Sequence, residues 1–374
     1  MTTLRRTLIG GTAAFALLAT AACSSSDDET SESADGDATT ESAPEEGGDD
    51  AESEAGSDDA AGSDESGSAD SGSDSDSDDS AAGGAIEFED NNGTHTLDAA
   101  PESIVVTDNR SFETLADWGI EPTAAAVSLM PDTVSFPNQD DIVDLGSHRE
   151  PDLESVVVAD PDIIINGQRF TQYAADFAEL APDALVTDLD PRDGEPFDEE
   201  LIRQVTQLGE IFGHQDEAAT LVEEFEAAVE RVTAAYDPEQ TVMAVNTSGG
   251  NIGYLAPTVG RTLGPVFDFA GLTPALEIDD ASDDHQGDDI SVEAIADSNP
   301  DWILVMDRDA AVGADEEGYT PAQEMLTSSE ALAGVTAVEE EQIVYMPEDT
   351  YTNEGIQTYT EFLNDFADAL EGAA

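Results

Sequence analysis

One pattern occurs twice in this chain with the same spacing, and it dictates a fold in two similar parts. Glu154 stands seven residues before Pro161-Asp162, the apolar run Ile163-Ile164-Ile165 follows, and Arg169 stands eight residues after the proline. Glu293, Pro300-Asp301, the run Trp302-Ile303-Leu304-Val305 and Arg308 repeat that spacing. A short apolar run bounded by turn residues is a buried strand. The arginines stand out because the chain has no lysine and sets ten arginines against 87 acidic residues. A chain that discards nearly every cation keeps one at the same place in each copy.

The N-terminus has the pattern of a leader rather than of a folded element. Arg5-Arg6 is a positive start, and residues 8–22 are apolar or small, ending at Cys23, the only cysteine. The stretch is short for a membrane span, and small residues precede the cut. Residues 1–22 are therefore expected to be a lipoprotein signal peptide, with lipid attached to Cys23 and the protein held at the extracellular face of the cell membrane. Thr20 stands where such motifs usually carry leucine. Arg5-Arg6-Thr7-Leu8-Ile9 also suits a twin-arginine export signal, and the ordinary and twin-arginine routes both stay open. One cysteine allows no intrachain disulfide, so stability must come from a core.

Residues 23–84 are predicted to be a disordered acidic tether, since Ser, Asp, Glu, Gly and Ala bury too little apolar surface to offset the entropy of ordering. A coil of about 60 residues spans roughly 45 Å, more when it repels itself. Without the tether's 22 acids and the leader's two arginines, 65 acids face eight arginines, a net charge near −57. Nucleic-acid binding is excluded, because phosphate contacts need clustered cations. The acidic, lysine-free surface suits a salty, halophilic setting in which self-repulsion is screened.

The remaining residues predict α/β architecture: an N-terminal lobe over 85–213, a long bridging helix over 214–237 and a C-terminal lobe over 238–374. Ile86 to Leu97 reads as a hairpin turning at Asn91-Asn92-Gly93. Strands then alternate with helices, as in parallel sheets. Glu199–Phe212 and Gln215–Tyr236 carry helical spacing, the second over an unusually long stretch. A strand at Val242–Val245, a Gly-rich turn (Ser248-Gly249-Gly250), a helix from Thr262 to Phe269, a strand at Ile343–Met346 and a final helix from Gly355 follow. Ligands of parallel α/β sheets bind beyond the carboxyl ends of strands, and Arg169 and Arg308 both fall there.

At these residues the chain resembles a known family. Asp144-Leu145-Gly146, Glu150-Pro151-Asp152-Leu153-Glu154, Pro161-Asp162-Ile163-Ile164 and Gln207-Leu208-Gly209-Glu210-Ile211-Phe212-Gly213 look like the iron-siderophore solute-binding lipoproteins of ABC importers, the class III periplasmic binding proteins. Val305-Met306-Asp307-Arg308-Asp309-Ala310-Ala311 resembles the ferric-catecholate subgroup. The resemblance covers roughly residues 86 to 372. It implies two Rossmann-like lobes bridged by one helix, and a monomer with no permanently bound cofactor. Its ligand would be a ferric siderophore complex, and its partner an ABC permease dimer with its ATPase.

A ferric tris-catecholate is a compact, partly aromatic trianion. Arginine suits it, being always charged, forking onto paired oxygens and stacking on rings. Arg169, Arg261 and Arg308 are the ligand-binding candidates, and the subgroup carries arginines at matching positions. Arg261 is expected to open a helix, whose amides would also favour an anion. Arg110, at the end of the first lobe strand, is a fourth candidate. Arg192, Arg203 and Arg231 are expected to hold structural carboxylates. The resemblance also implies that His285 and Tyr351 can complete the iron shell of a bis-catecholate, and that Glu154 and Glu293 meet permease arginines. His95, His148 and His214 read as structural or surface residues. The Asp-rich stretch 279–289 lacks the ligand spacing of a calcium loop. No nucleophile elbow, Walker loop or zinc triad is present, which points away from an enzyme. Other ferric chelates (citrate, hydroxamate), haem or cobalamin stay open as ligands, as does a non-transport acidic surface protein that binds divalent cations.

Overall fold

The computed structural model describes residues 85–316 and 318–373. The expected signal peptide, Cys23 and the expected acidic tether lie outside the described residues. Among those described, no helix is long and apolar enough to cross a membrane.

The chain opens with the expected hairpin, β1 (Ile86–Asp90) and β2 (Gly93–Leu97), closed by Asn91-Asn92. A five-stranded sheet follows: β3 (Ile104–Val106), β4 (Ala124–Ala125), β5 (Val143–Asp144), β6 (Ile163–Asn166) and β7 (Leu185–Asp188). Its order is β5-β4-β3-β6-β7 and every pairing is parallel. Its helices are α1 (Phe112–Asp117), α2 (Leu153–Ala159), α3 (Ala174–Leu180), α4 (Phe197–Phe212) and α5 (Gln215–Ala235). The second sheet holds β8 (Val242–Ser248), β9 (Asn251–Leu255), β10 (Trp302–Asp307) and β11 (Ile343–Tyr345) in the order β11-β10-β8-β9. Its helices are α6 (Val266–Ala270), α7 (Val292–Ser298), α8 (Arg308–Gly313), α9 (Ala322–Ser328), α10 (Thr336–Glu339) and α11 (Ile356–Ala373).

Both central strands are buried on both faces, so they read as continuous apolar runs rather than alternating ones. In β6, Ile163 and Ile165 join the core layer of Phe88 and Phe112, while Ile164 joins that of Phe170 and Phe177. In β10, Trp302, Leu304 and Met306 face α11, while Ile303 and Val305 face the opposite layer. This alternation is the strand's two-residue period at work.

The repeated Pro-Asp has a structural cause. Asp152 caps α2 by accepting from the Glu154 amide, and Ser291 caps α7 by accepting from that of Ala294. Both helices end in a left-handed residue, Asp160 (φ 47°) and Asn299 (φ 45°), immediately before the proline. Asp162 Oδ2 then accepts from the Glu102 and Ser103 amides at 2.8 and 2.9 Å. Asp301 Oδ2 likewise accepts from the Thr241 amide at 2.7 Å. Each carboxylate thus pins the start of the neighbouring strand, β3 or β8, in register with the incoming one.

Two expectations change in detail. The Gly249-Gly250 turn (φ 57° and 76°) closes a hairpin, so β9 runs antiparallel to β8 at the sheet edge. The helix expected from Thr262 begins only at Val266, after Pro265. Gly264 precedes that proline and is disfavoured in the helical region by it, and residues 258–264 form a tight loop with Thr258 and Thr262 at positive φ. The long helix α5 carries the chain from one sheet to the other and shares that span with α4. Leu201 and Val205 of α4 enter the core beneath the second sheet, whereas Leu208 and Ile211 enter that of the first.

Candidate functional site

Four loops at the carboxyl ends of strands meet on one side chain, Tyr351. Arg169 lies in the 3-10 turn Gln168–Tyr173 after β6, and Arg308 opens α8 directly after β10. Arg261 projects from the loop before α6. Tyr351 sits in the turn Thr350–Thr352 after β11 and is only 8% exposed. The guanidinium carbons of Arg169, Arg261 and Arg308 lie 5.0, 5.0 and 4.7 Å from its ring centroid. That is within reach of cation–π attraction. Burial alone would raise the Tyr351 phenol. Hydrogen bonding from Arg308 and Arg169, and the charges of Arg169 and Arg261, outweigh it and hold the group below its usual range.

The three arginines and Tyr351 line a chamber of about 440 Å³ together with His285, His148 and Arg149. Among the described residues no carboxylate lines it, although the chain has a formal charge of −77. The guanidinium groups are not equivalent. Arg261 forks onto buried Glu354 at 3.2 and 2.7 Å, and Thr262 donates to the same carboxylate at 2.6 Å. Burial would raise Glu354, but the charge and hydrogen bonds of Arg261 prevail and depress it to about 2. Arg308 donates to Ser248 at 3.2 Å and lies 3.3 Å from Asp309. Arg169 has no carboxylate partner among the described residues; besides the Tyr351 phenol it meets Asn109 at 3.1 Å, Gln168 at 3.0 Å and the Tyr351 carbonyl at 3.2 Å. Six of the eight described arginines are ion-paired; Arg149 and Arg169 are not, and both face this chamber.

Local sequence explains the aim of Arg169. A Cβ on Gly167 would lie 2.6 Å from Asp108 Cγ, so only glycine lets this turn pass so close. Gln168 then takes a left-handed conformation (φ 48°), which sends its amide side chain to Glu354 at 3.0 Å. Buried Asn109 braces the other side, donating to the Thr352 carbonyl at 2.9 Å while accepting from Arg169.

His285 shares the chamber with Tyr351. Its carbonyl accepts from Asn246 at 3.0 Å, and its ring, about half exposed, lies 3.8 Å from Asp284. The loop carrying it lies flat on β9: a Cβ on Gly253 would meet the Gln286 carbonyl oxygen at 2.0 Å. Among the described residues, no three His, Cys, Asp or Glu side chains cluster as a metal site.

Some sequence expectations are corrected. Arg261 lies in a loop and not at a helix start, so it offers its side chain without a helix N-terminus behind it. Arg110 does not enter the Tyr351 chamber: it pairs with Asp190 at 3.2 Å and lines the adjoining compartment. His148, read as structural or surface, is partly exposed and lines the chamber, with a buried Nδ1 that has no partner among the described residues. Burial, and then the neighbouring Arg169 and Arg149, lower its pKa. Arg149 escaped the sequence reading, although a census of so few cations contains it. The structural reading of the others holds: Arg192 and Arg203 clamp Glu200, and Arg231 pairs with Asp368 and Glu371. Glu154 and Glu293 are exposed in the first turns of α2 and α7.

Comparison with known proteins agrees with this architecture. A curated relative, the petrobactin-binding protein YclQ of Bacillus subtilis, is 25% identical over 287 residues, 75% of this chain and 86% of its own. Its crystal structure superposes with a TM-score of 0.65, covering 77% of this chain and 99% of that one at 22% identity. The ferric-anguibactin-binding protein FatB of Vibrio anguillarum is 28% identical over 231 residues, 61% of this chain and 70% of its own. A TroA-like periplasmic binding protein from Xylanimonas cellulosilytica, 28% identical, covers 75% of this chain and 92% of its own with a TM-score of 0.63. A profile described as periplasmic binding protein matches residues 104–350, well over half of the chain. The chain therefore belongs to the periplasmic binding protein family, whose members bind substrates and are not enzymes.

Proposed function

We propose that this protein captures a ferric siderophore of catecholate type and delivers it to an ABC importer. The observation that carries the reading is the convergence of three guanidinium groups on one phenol. What holds a buried, acid-shifted phenol holds a catecholate ring by the same forces: charge-assisted hydrogen bonds and cation–π contact. Relatives named for petrobactin and ferric anguibactin support the ligand class.

The rest of the reading follows from it. The protein acts as a monomer at the extracellular face of the membrane, anchored by lipid on Cys23. Arg169 and Arg308 supply charge, and Arg261, backed by Glu354, supplies a fixed donor. His285 and Tyr351 complete the iron shell when a tetradentate chelate leaves it open; iron is cargo here, and a histidine–phenolate pair suits ferric iron. Glu154 and Glu293, matched in the two halves, meet the two permease subunits.

The test is calorimetric titration with ferric tris-catecholate, comparing the protein with Arg308→Ala. The substitution is expected to weaken binding about tenfold or more, the worth of a hydrogen bond to a charged group. Unchanged affinity would move the site elsewhere. Tight binding of ferric citrate, haem or cobalamin with no binding of the catecholate would replace the ligand class.

A further inference from the structure

The arginine chamber is not the whole of the cleft. A second compartment of about 460 Å³ adjoins it, and Arg169 and Arg261 line both. Its chemistry is different. Two of its arginines are already answered, Arg110 by Asp190 at 3.2 Å and Arg261 by Glu354 at 2.7 Å, and the third, Arg169, is the one it shares with the chamber. Asp190 is further satisfied by the Gln168 amide, 3.0 Å from both oxygens. Pro191, Phe197, Val259 and Pro265 supply its apolar wall, with Val259 46% exposed, and exposed Asp283 adds a carboxylate. A partly apolar compartment with two of its three arginines paired and carboxylates in its wall offers a bare polyanion less than the chamber does, and it suits methylene groups and amides.

We infer that the cleft reads its ligand in two parts, with the second compartment binding an uncharged, amide-bearing scaffold that carries the chelating arms. This rests on the catecholate reading above. The ligand so specified is lopsided: a charged ferric head lies against Tyr351, and an organic body lies over Arg110 and Val259. Arg110 is then a specificity residue for the body and not for the charge.

Two probes separate head from body: ferric tris-catechol formed with excess free catechol, and a hexadentate ferric tris-catecholamide. Val259→Trp fills the second compartment from an exposed loop position. It is expected to weaken the catecholamide complex tenfold or more while changing ferric tris-catechol less than twofold, and the retained binding also reports an intact fold. Val312→Trp, in the lining of the arginine chamber, is expected to weaken both. The inference is overturned if Val259→Trp leaves the catecholamide within twofold, or weakens both probes equally. If the unsubstituted protein binds neither probe, the catecholate reading falls and takes this inference with it.

Discussion

A guanidinium already forked onto a carboxylate has less field left for a ligand than one held by neutral oxygens. Arg169 and Arg261 stand at equal distance from Tyr351 yet differ in this respect. Arg169→Ala is therefore expected to cost ferric-catecholate affinity, about 1.5–3 kcal/mol for hydrogen bonds to a charged group, with little loss of stability. Arg261→Ala leaves Glu354 buried and unpaired, and is expected to cost about 3–5 kcal/mol of folding stability. Urea unfolding of the two variants separates these outcomes; equal stabilities would contradict the distinction. Glu354 also sets a pH dependence. Its carboxyl is depressed from 4.5 to about 2 in the folded protein. Its stabilisation is thus fully present above pH 4.5 and is lost as pH falls towards 2, about 3 kcal/mol in all. The stability difference between the protein and Glu354→Gln should shrink from pH 6 to pH 3, and a constant difference would refute the assignment.

At the scale of elements, the repeated motif divides its labour. Its middle is structural: Asp162 and Asp301 pin the strands beside β6 and β10. Asp162→Ala and Asp301→Ala are each expected to cost about 1.5–3 kcal/mol, read by thermal or urea unfolding; a loss under about 0.5 kcal/mol in both would make the carboxylates incidental. The motif's ends lie elsewhere: Glu154 and Glu293 are exposed in the first turns of α2 and α7, and Arg169 and Arg308 line the Tyr351 chamber. The motif was legible in sequence because local rules govern it: caps, a proline, and an apolar run buried on both faces. The β8–β9 hairpin was less so, since Ser248-Gly249-Gly250 marks a turn without saying which way the chain leaves it. The loop at 258–264 was hidden because helical propensity around Thr262 competes with Pro265. Arg169 and Arg308 were legible through the repeat and its place beyond strand ends, Arg261, His285 and Tyr351 through resemblance, and the structure gathers all five in one chamber. The ion pairs beside it, Arg110–Asp190 and Arg261–Glu354, were not legible, because they join residues distant in sequence.

The whole molecule sets a long-range field against a short-range one. A chain of formal charge −77 repels a trianion at a distance, whereas the chamber attracts it at contact. Screening acts first on the longer range, over about 10 Å at 0.1 M salt. Added salt is therefore expected to speed association of ferric tris-catecholate in stopped-flow experiments, and a steep fall in rate would contradict the balance described. The central claim, that uncompensated arginine charge selects the ligand, is tested most directly by titrating the protein with trianionic ferric tris-catecholate and with a neutral ferric trihydroxamate at one salt concentration. The account predicts about a hundredfold preference for the catecholate, the worth of two charge-assisted contacts. A trihydroxamate bound as tightly, or more tightly, would contradict it.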